Sequence, residues 1–151
     1  MKRILVLAGI GALLAGLIGC GGGSSGTNLT ATSLVGTWRA TGLRSPGGTS
    51  VTCPGSVTLS DNSTSECGAE DDTIFREDGT IAFLDGAIPT GIGTWSLSGS
   101  TLHLVFPTSG GQAFSLDASV ALSGNTLTLT IQSLTPSQPG SVGLATTMEK
   151  R

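Results

Sequence analysis

The run Phe114-Ser115-Leu116-Asp117-Ala118-Ser119-Val120-Ala121-Leu122-Ser123-Gly124-Asn125-Thr126-Leu127-Thr128-Leu129-Thr130-Ile131 changes character at almost every residue. Phe114, Leu116, Ala118, Val120 and Leu122 share one parity, while Ser115, Asp117, Ser119, Ala121 and Ser123 share the other. Successive strand side chains point to opposite faces, so this alternation describes a strand buried on one side. Leu127, Leu129 and Ile131 alternate with Thr126, Thr128 and Thr130 in the same way. Between the two runs, Ser123-Gly124-Asn125 has the length and the glycine of a hairpin link.

The same design occurs earlier in the chain. Trp95-Ser96-Leu97-Ser98-Gly99-Ser100-Thr101-Leu102-His103-Leu104 matches the stretch from Val120 to Leu129, one turn chemistry used twice. A third turn, Glu77-Asp78-Gly79-Thr80, separates Ile74-Phe75 from Ile81-Ala82-Phe83-Leu84, and Asp-Gly between β-rich runs is a strong hairpin signal. Extending this reading gives strands near 34–42, 50–59, 72–77, 80–85, 91–97, 101–106, 112–122, 126–132 and 143–149, with no convincing helix. The expected fold is all-β. A chain of sequential hairpins must cover or close its edges, which leaves a small up-and-down antiparallel barrel of about eight strands, favoured by the hairpin order, and a β-sandwich as the alternative.

The start of the chain reads differently. Met1-Lys2-Arg3 is basic, and Ile4 to Cys20 is an unbroken run of apolar residues and glycine, shorter than the roughly 20 residues of a spanning helix. Leu17-Ile18-Gly19-Cys20 resembles the lipobox of bacterial lipoproteins, in which the cysteine is lipidated and the chain is cut just before it. The resemblance implies a signal peptide over 1–19, a lipid on Cys20 and a location in the bacterial cell envelope. Gly21 in place of Asp after the cysteine points to the outer membrane, facing the periplasm or the surface. Residues 20–33 then hold the lipidated cysteine and a Gly/Ser tether, and 34–151 form the domain. Removing 1–19 also removes Lys2 and Arg3, so the mature chain is more acidic than the net −3 of the full sequence. Attraction to nucleic acid or to anionic head groups is not expected.

With Cys20 lipidated, Cys53 and Cys67 are the remaining thiols in an oxidising compartment, where a disulfide is the economical reading. They enclose Pro54-Gly55-Ser56-Val57-Thr58-Leu59-Ser60-Asp61-Asn62-Ser63-Thr64-Ser65-Glu66, a stretch expected to pack little on its own. Closing a loop of about 15 residues stabilises by about 3 kcal/mol in the chain-entropy view. The spacing is not CxxC, and the single His is far away, which disfavours a metal or redox role.

Leu34-Val35-Gly36-Thr37-Trp38 resembles the Gly-x-Trp signature of the lipocalins. Thr73-Ile74-Phe75-Arg76-Glu77-Asp78-Gly79-Thr80, then Gly93-Thr94-Trp95 through Leu102, and finally Thr146-Thr147-Met148-Glu149-Lys150-Arg151 are similar in order to motifs of bacterial lipocalin-like lipoprotein domains. The resemblance covers residues 34 to 151. It implies a barrel whose last strand pairs with its first. It also implies a basic side chain, Arg151 or Lys150, over Trp38 at the barrel floor, a contact worth about 0.5 to 2 kcal/mol.

Composition narrows the chemistry. The chain has 24 Gly, with Ser and Thr nearly as common, only 11% charged residues, no Tyr and one His. His103 has outward parity on its strand, and no GxSxG motif is present, so catalysis is not expected and no cofactor is implied. Glu66, Glu70, Asp71 and Asp72 form one acidic cluster that lacks an EF-hand pattern and reads as a solvated loop more readily than as a calcium site. Phe83, Trp95, Leu97, Leu102, Leu104, Phe114 and Leu116 are the inward side chains expected to line a ligand site. Barrels of this size either fill with side chains or hold one small ligand. Two functions therefore stay open. One is an envelope binder of a small hydrophobic molecule. The other is a structural or protein-interaction lipoprotein, an inhibitor or assembly factor, with a filled barrel and the loop 53–72 as contact surface.

Overall fold

In a computed structural model, which describes residues 29–108, 110–135 and 142–151, the alternating runs form strands that hydrogen-bond in sequence. The expected signal peptide 1–19, Cys20 and the tether through residue 28 lie outside the described residues. A four-residue helix, α1 (Ala31–Leu34), takes up the last residues of the expected tether and the first of the expected strand, where no helix was read. Thr30 and Ser33 bond reciprocally in a capping box, which gives this short stretch a local helical turn.

Strand β1 (Gly36–Arg44) is followed by β2 (Ser50–Thr52), β3 (Gly55–Thr58) and β4 (Thr64–Cys67). The single strand expected over 50–59 is thus two strands, divided at Pro54, which has no N–H to give a ladder. Then come β5 (Asp71–Phe75), β6 (Thr80–Asp85), β7 (Ile88–Ser98), β8 (Thr101–Pro107), β9 (Ala113–Ser123), β10 (Thr126–Thr135) and β11 (Ala145–Lys150). From β5 to β11 each strand pairs antiparallel with the next, and β1 pairs with both β5 and β11. The result is a closed eight-stranded up-and-down barrel, with β2 added beside the end of β1. Closure leaves no free edge in the ring.

The repeated turns give the ring its regularity. Gly99 and Gly124 sit at φ of 60° and 58°, in the left-handed region that glycine enters without steric cost. One extra residue near Thr41 bulges β1, so that its first half pairs with β11 and β5 and its second half with β11 and β2.

The two ends of the barrel differ. At the end holding α1 and the turns after β5, β7 and β9, the interior is filled by Leu34, Trp38, Phe75, Ile81, Leu102, Leu127 and Met148, each at most 2% exposed. Trp38 Nε1 donates to the Leu34 carbonyl at 2.7 Å, which seats the helix as a plug. Phe75 and Trp95 meet edge to face with centroids 5.3 Å apart. The other end is the mouth, where strands β3 and β4 form a separate two-stranded sheet. Contrary to expectation this segment does pack: Val57, Leu59 and Cys67 form a small second core with Leu43. Its apolar residues find a partner in the mouth end of β1.

Candidate functional site

A disulfide joins Cys53 to Cys67, with Cα atoms 5.4 Å apart. It fastens the base of the β3–β4 hairpin, and Cys53 N also donates to the Thr41 carbonyl at the β1 bulge, at 3.0 Å. The hairpin therefore stands as a fixed wall at the mouth. Between it and the inward faces of β1, β5, β6 and β11 lies a cleft of about 770 Å³. Its apolar lining comes from Ala40 and Leu43 on β1, Phe83 on β6 and Met148 on β11. Its polar lining comes from Thr73 and Asp71 on β5, Asp85 on β6, Thr146 on β11, and Ser56, Ser65 and Glu66 on the hairpin.

Period two explains the arrangement. Asp71, Thr73 and Phe75 alternate inward along β5, and their register partners Asp85, Phe83 and Ile81 do the same along β6. Phe75 and Ile81 belong to the dry floor, Thr73 and Phe83 stand at mid-height, and the facing carboxylates Asp71 and Asp85 stand at the rim. Asp71 Oδ2 also accepts from Gly68 N at 2.6 Å, which holds the link between β4 and β5 close to the rim.

Of the seven residues expected to line a ligand site, Phe83 alone borders this cleft. Trp95, Leu102 and Leu104 are buried in the main core, with Leu97 and Leu116 packed against it. Phe114 lies next to Phe106, with ring centroids 6.3 Å apart. Parity identified inward residues correctly but not their height in the barrel, and at the plugged end inward means packed. Ala40, Leu43, Met148, Thr73 and Thr146 were not among the residues expected to line a site. The inward parity of β1, β5 and β11 was the available signal.

Lys150 is the cation over Trp38, with Nζ 5.2 Å from the ring centroid. Arg151 turns instead to Asp72, donating from Nη1 to Oδ2 at 3.1 Å. Of the two basic residues expected at the barrel floor it is therefore Lys150 and not Arg151 that covers Trp38: Lys150 is the register partner of Trp38, while Arg151 lies one position further on.

Asp72 is not part of a solvated loop. It is 7% exposed, and Arg39, its partner across β1 and β5, grips it with Nε to Oδ1 at 2.5 Å and Nη2 to Oδ2 at 3.0 Å. These hydrogen bonds hold the Asp72 carboxyl below the usual carboxylate range, against the opposing effect of burial, and Arg151 adds to the shift. The group thus locks β1, β5 and the chain end on the outer wall. Among the described residues, no three His, Cys, Asp or Glu side chains are placed to hold a metal ion.

His103 lies outside the barrel, half-exposed, with Nδ1 2.6 Å from Asp117 Oδ1. Ser133 Oγ donates to the other Asp117 oxygen at 3.1 Å. Serine and histidine both bond the carboxylate, so this trio lacks the nucleophile-to-base contact of acyl-transfer sites.

Fold and cleft together define a small up-and-down barrel with one end plugged and the other open beside a stapled hairpin. The chain belongs to the lipocalin-like domain family, which matches residues 34–135. Its fold is similar to the crystal structure of a lipocalin-like protein from Bacteroides uniformis, with a TM-score of 0.50 and 16% sequence identity over 78% of this chain and 98% of that one. A search of curated proteins returns no match.

Proposed function

We propose that this protein is a non-enzymatic, lipid-anchored binding module of the bacterial envelope that holds a small molecule with an apolar body in the cleft at the barrel mouth. The carrying observation is the cleft itself. Its volume of about 770 Å³ falls within the roughly 300 to 1,000 Å³ of small-molecule sites, and it combines an apolar floor with a rim of hydroxyls and carboxylates about as extensive as that floor. Export and lipidation rest on the basic start, the apolar run and Leu17-Ile18-Gly19-Cys20. Leu29 packs against the main core, so the described chain enters the barrel at the end plugged by α1, opposite the mouth.

Filling the cleft tests this reading. Thr146 is a partly buried lining residue on β11, and Thr146→Trp places a large ring in the open volume. A neutral naphthylamine dye, fluorescent in apolar surroundings, is expected to bind the parent protein in a 1:1 ratio and to lose binding in the variant, with the melting transition retained. Equal dye binding by both proteins would overturn the assignment of the site.

A further inference from the structure

We infer that the cleft is built for a ligand whose apolar body ends in a protonated amine; the inference rests on the proposed function of the same cleft and adds the charge of what it takes. Asp71 and Asp85 are register partners on inward rows of neighbouring strands. Directly opposed residues hold their Cβ atoms about 4.5 to 5.5 Å apart, a distance at which like charges destabilise a strand pair. Among the described residues neither is directly ion-paired: Arg39, the cation whose charge Asp71 feels, commits its guanidinium to Asp72, and the other ion pairs engage Asp72 and Asp117. Glu66, from the hairpin, adds a third carboxylate to the wall.

A second observation comes from one inward step below Asp71. Thr73 is 6% exposed and borders the cleft, and its hydroxyl bonds no group among the described residues. No buried side-chain polar atom is both sealed from solvent and unpaired, so this hydroxyl is open to the cleft. A hydroxyl so placed is free to accept a hydrogen bond from a group that enters the cleft. Thr73 faces Phe83 across the strands, at the level where the polar rim gives way to the apolar floor.

The chemistry of a matching ligand follows. It must donate hydrogen bonds and carry positive charge at the rim, with an apolar portion reaching Phe83 and Met148. A metal ion does not fit, because no three ligating side chains converge among the described residues. An alkylammonium group does, since its three N–H donors match two carboxylates and a hydroxyl. A cleft edged by one sign of charge also concentrates ligands of the opposite sign and repels carboxylates.

The test titrates octylammonium, octanol and octanoate calorimetrically into the full chain in phosphatidylcholine nanodiscs, with empty nanodiscs subtracted. Octylammonium is expected to bind about tenfold more tightly than octanoate, the effect of one favourable close charge contact in a partly solvated site. Asp85→Asn, an exposed substitution that leaves the barrel intact, should weaken octylammonium and leave octanol unchanged. If octanoate binds as tightly as octylammonium, or if Asp85→Asn has no effect, the amine inference falls while the cleft assignment stands. If none of the three binds, both fall.

Discussion

Replacing Cys53 and Cys67 together by alanine removes the covalent tie beneath the β3–β4 hairpin, and the structure sets how much should be lost and where. The bridge spans a sequence separation of 14, a loop whose closure is worth about 3 kcal/mol in the chain-entropy model. A two-stranded hairpin is marginal alone, and this one is a sheet separate from the barrel, with a second core that holds little beyond Val57, Leu59 and the Leu43 contact. The loss should therefore fall on the hairpin and spare the ring, whose core of Trp38, Phe75 and Leu127 contains none of these residues. Amide exchange resolved by residue is the assay. The Leu59 amide, which bonds the Ser63 carbonyl at 2.8 Å, and the β3–β4 ladder amides should exchange about 100-fold faster, the factor that 3 kcal/mol represents. Amides of β10 should keep their protection. Unchanged exchange in the hairpin would refute the view that the disulfide holds it. An equal loss throughout the barrel would show that hairpin and ring unfold as one unit.

The remaining predictions concern the ring and its outer wall. Because the folded state lowers the Asp72 pKa, its stabilisation is complete above the unfolded carboxylate value of about 4 and is lost as pH falls through the lower, folded value. Asp72→Asn should cost about 2 kcal/mol at neutral pH, between exposed and sealed ion pairs, and flatten the acid limb of a stability curve from urea melts; an unchanged acid limb would remove Asp72 from the account. Gly93→Ala would put a methyl 2.4 Å from the Val105 carbonyl oxygen and 2.6 Å from the Phe106 ring, so a loss of about 1 to 3 kcal/mol is expected in the same melts. Lys150→Ala should lose about 0.5 to 1 kcal/mol through Trp38, and Lys150→Arg should recover it; equal stability of all three forms would mean the cation does not act on the ring.

The ring was legible because its determinants are local. Period-two runs and the turns at Gly99 and Gly124 need only neighbouring residues, and β5 through β10 were expected at nearly their observed positions. What escaped depends on distant partners. Thr64–Cys67 reads as a polar loop until the disulfide and Leu43 give it something to pair and pack with. Asp72 reads as one more loop carboxylate until closure of the ring sets Arg39 opposite it and Arg151 beside it. The lining of the cleft was not legible for a similar reason. Alternation gives a side chain's direction but not its height, and α1, seated by the Trp38 indole, decides which end of the barrel is full.

We propose that this barrel carries a small molecule in its mouth while held to an envelope membrane by Cys20. Native mass spectrometry of the full chain, isolated from the membranes of its own host, tests both parts in one spectrum. The expected result is a polypeptide beginning at Cys20 with a covalent lipid, plus a small molecule that leaves on gentle activation and is absent from Thr146→Trp. A bare polypeptide of the same covalent mass, with no released molecule in either protein, would contradict the binding claim, and a chain retaining residues 1–19 would contradict the anchor.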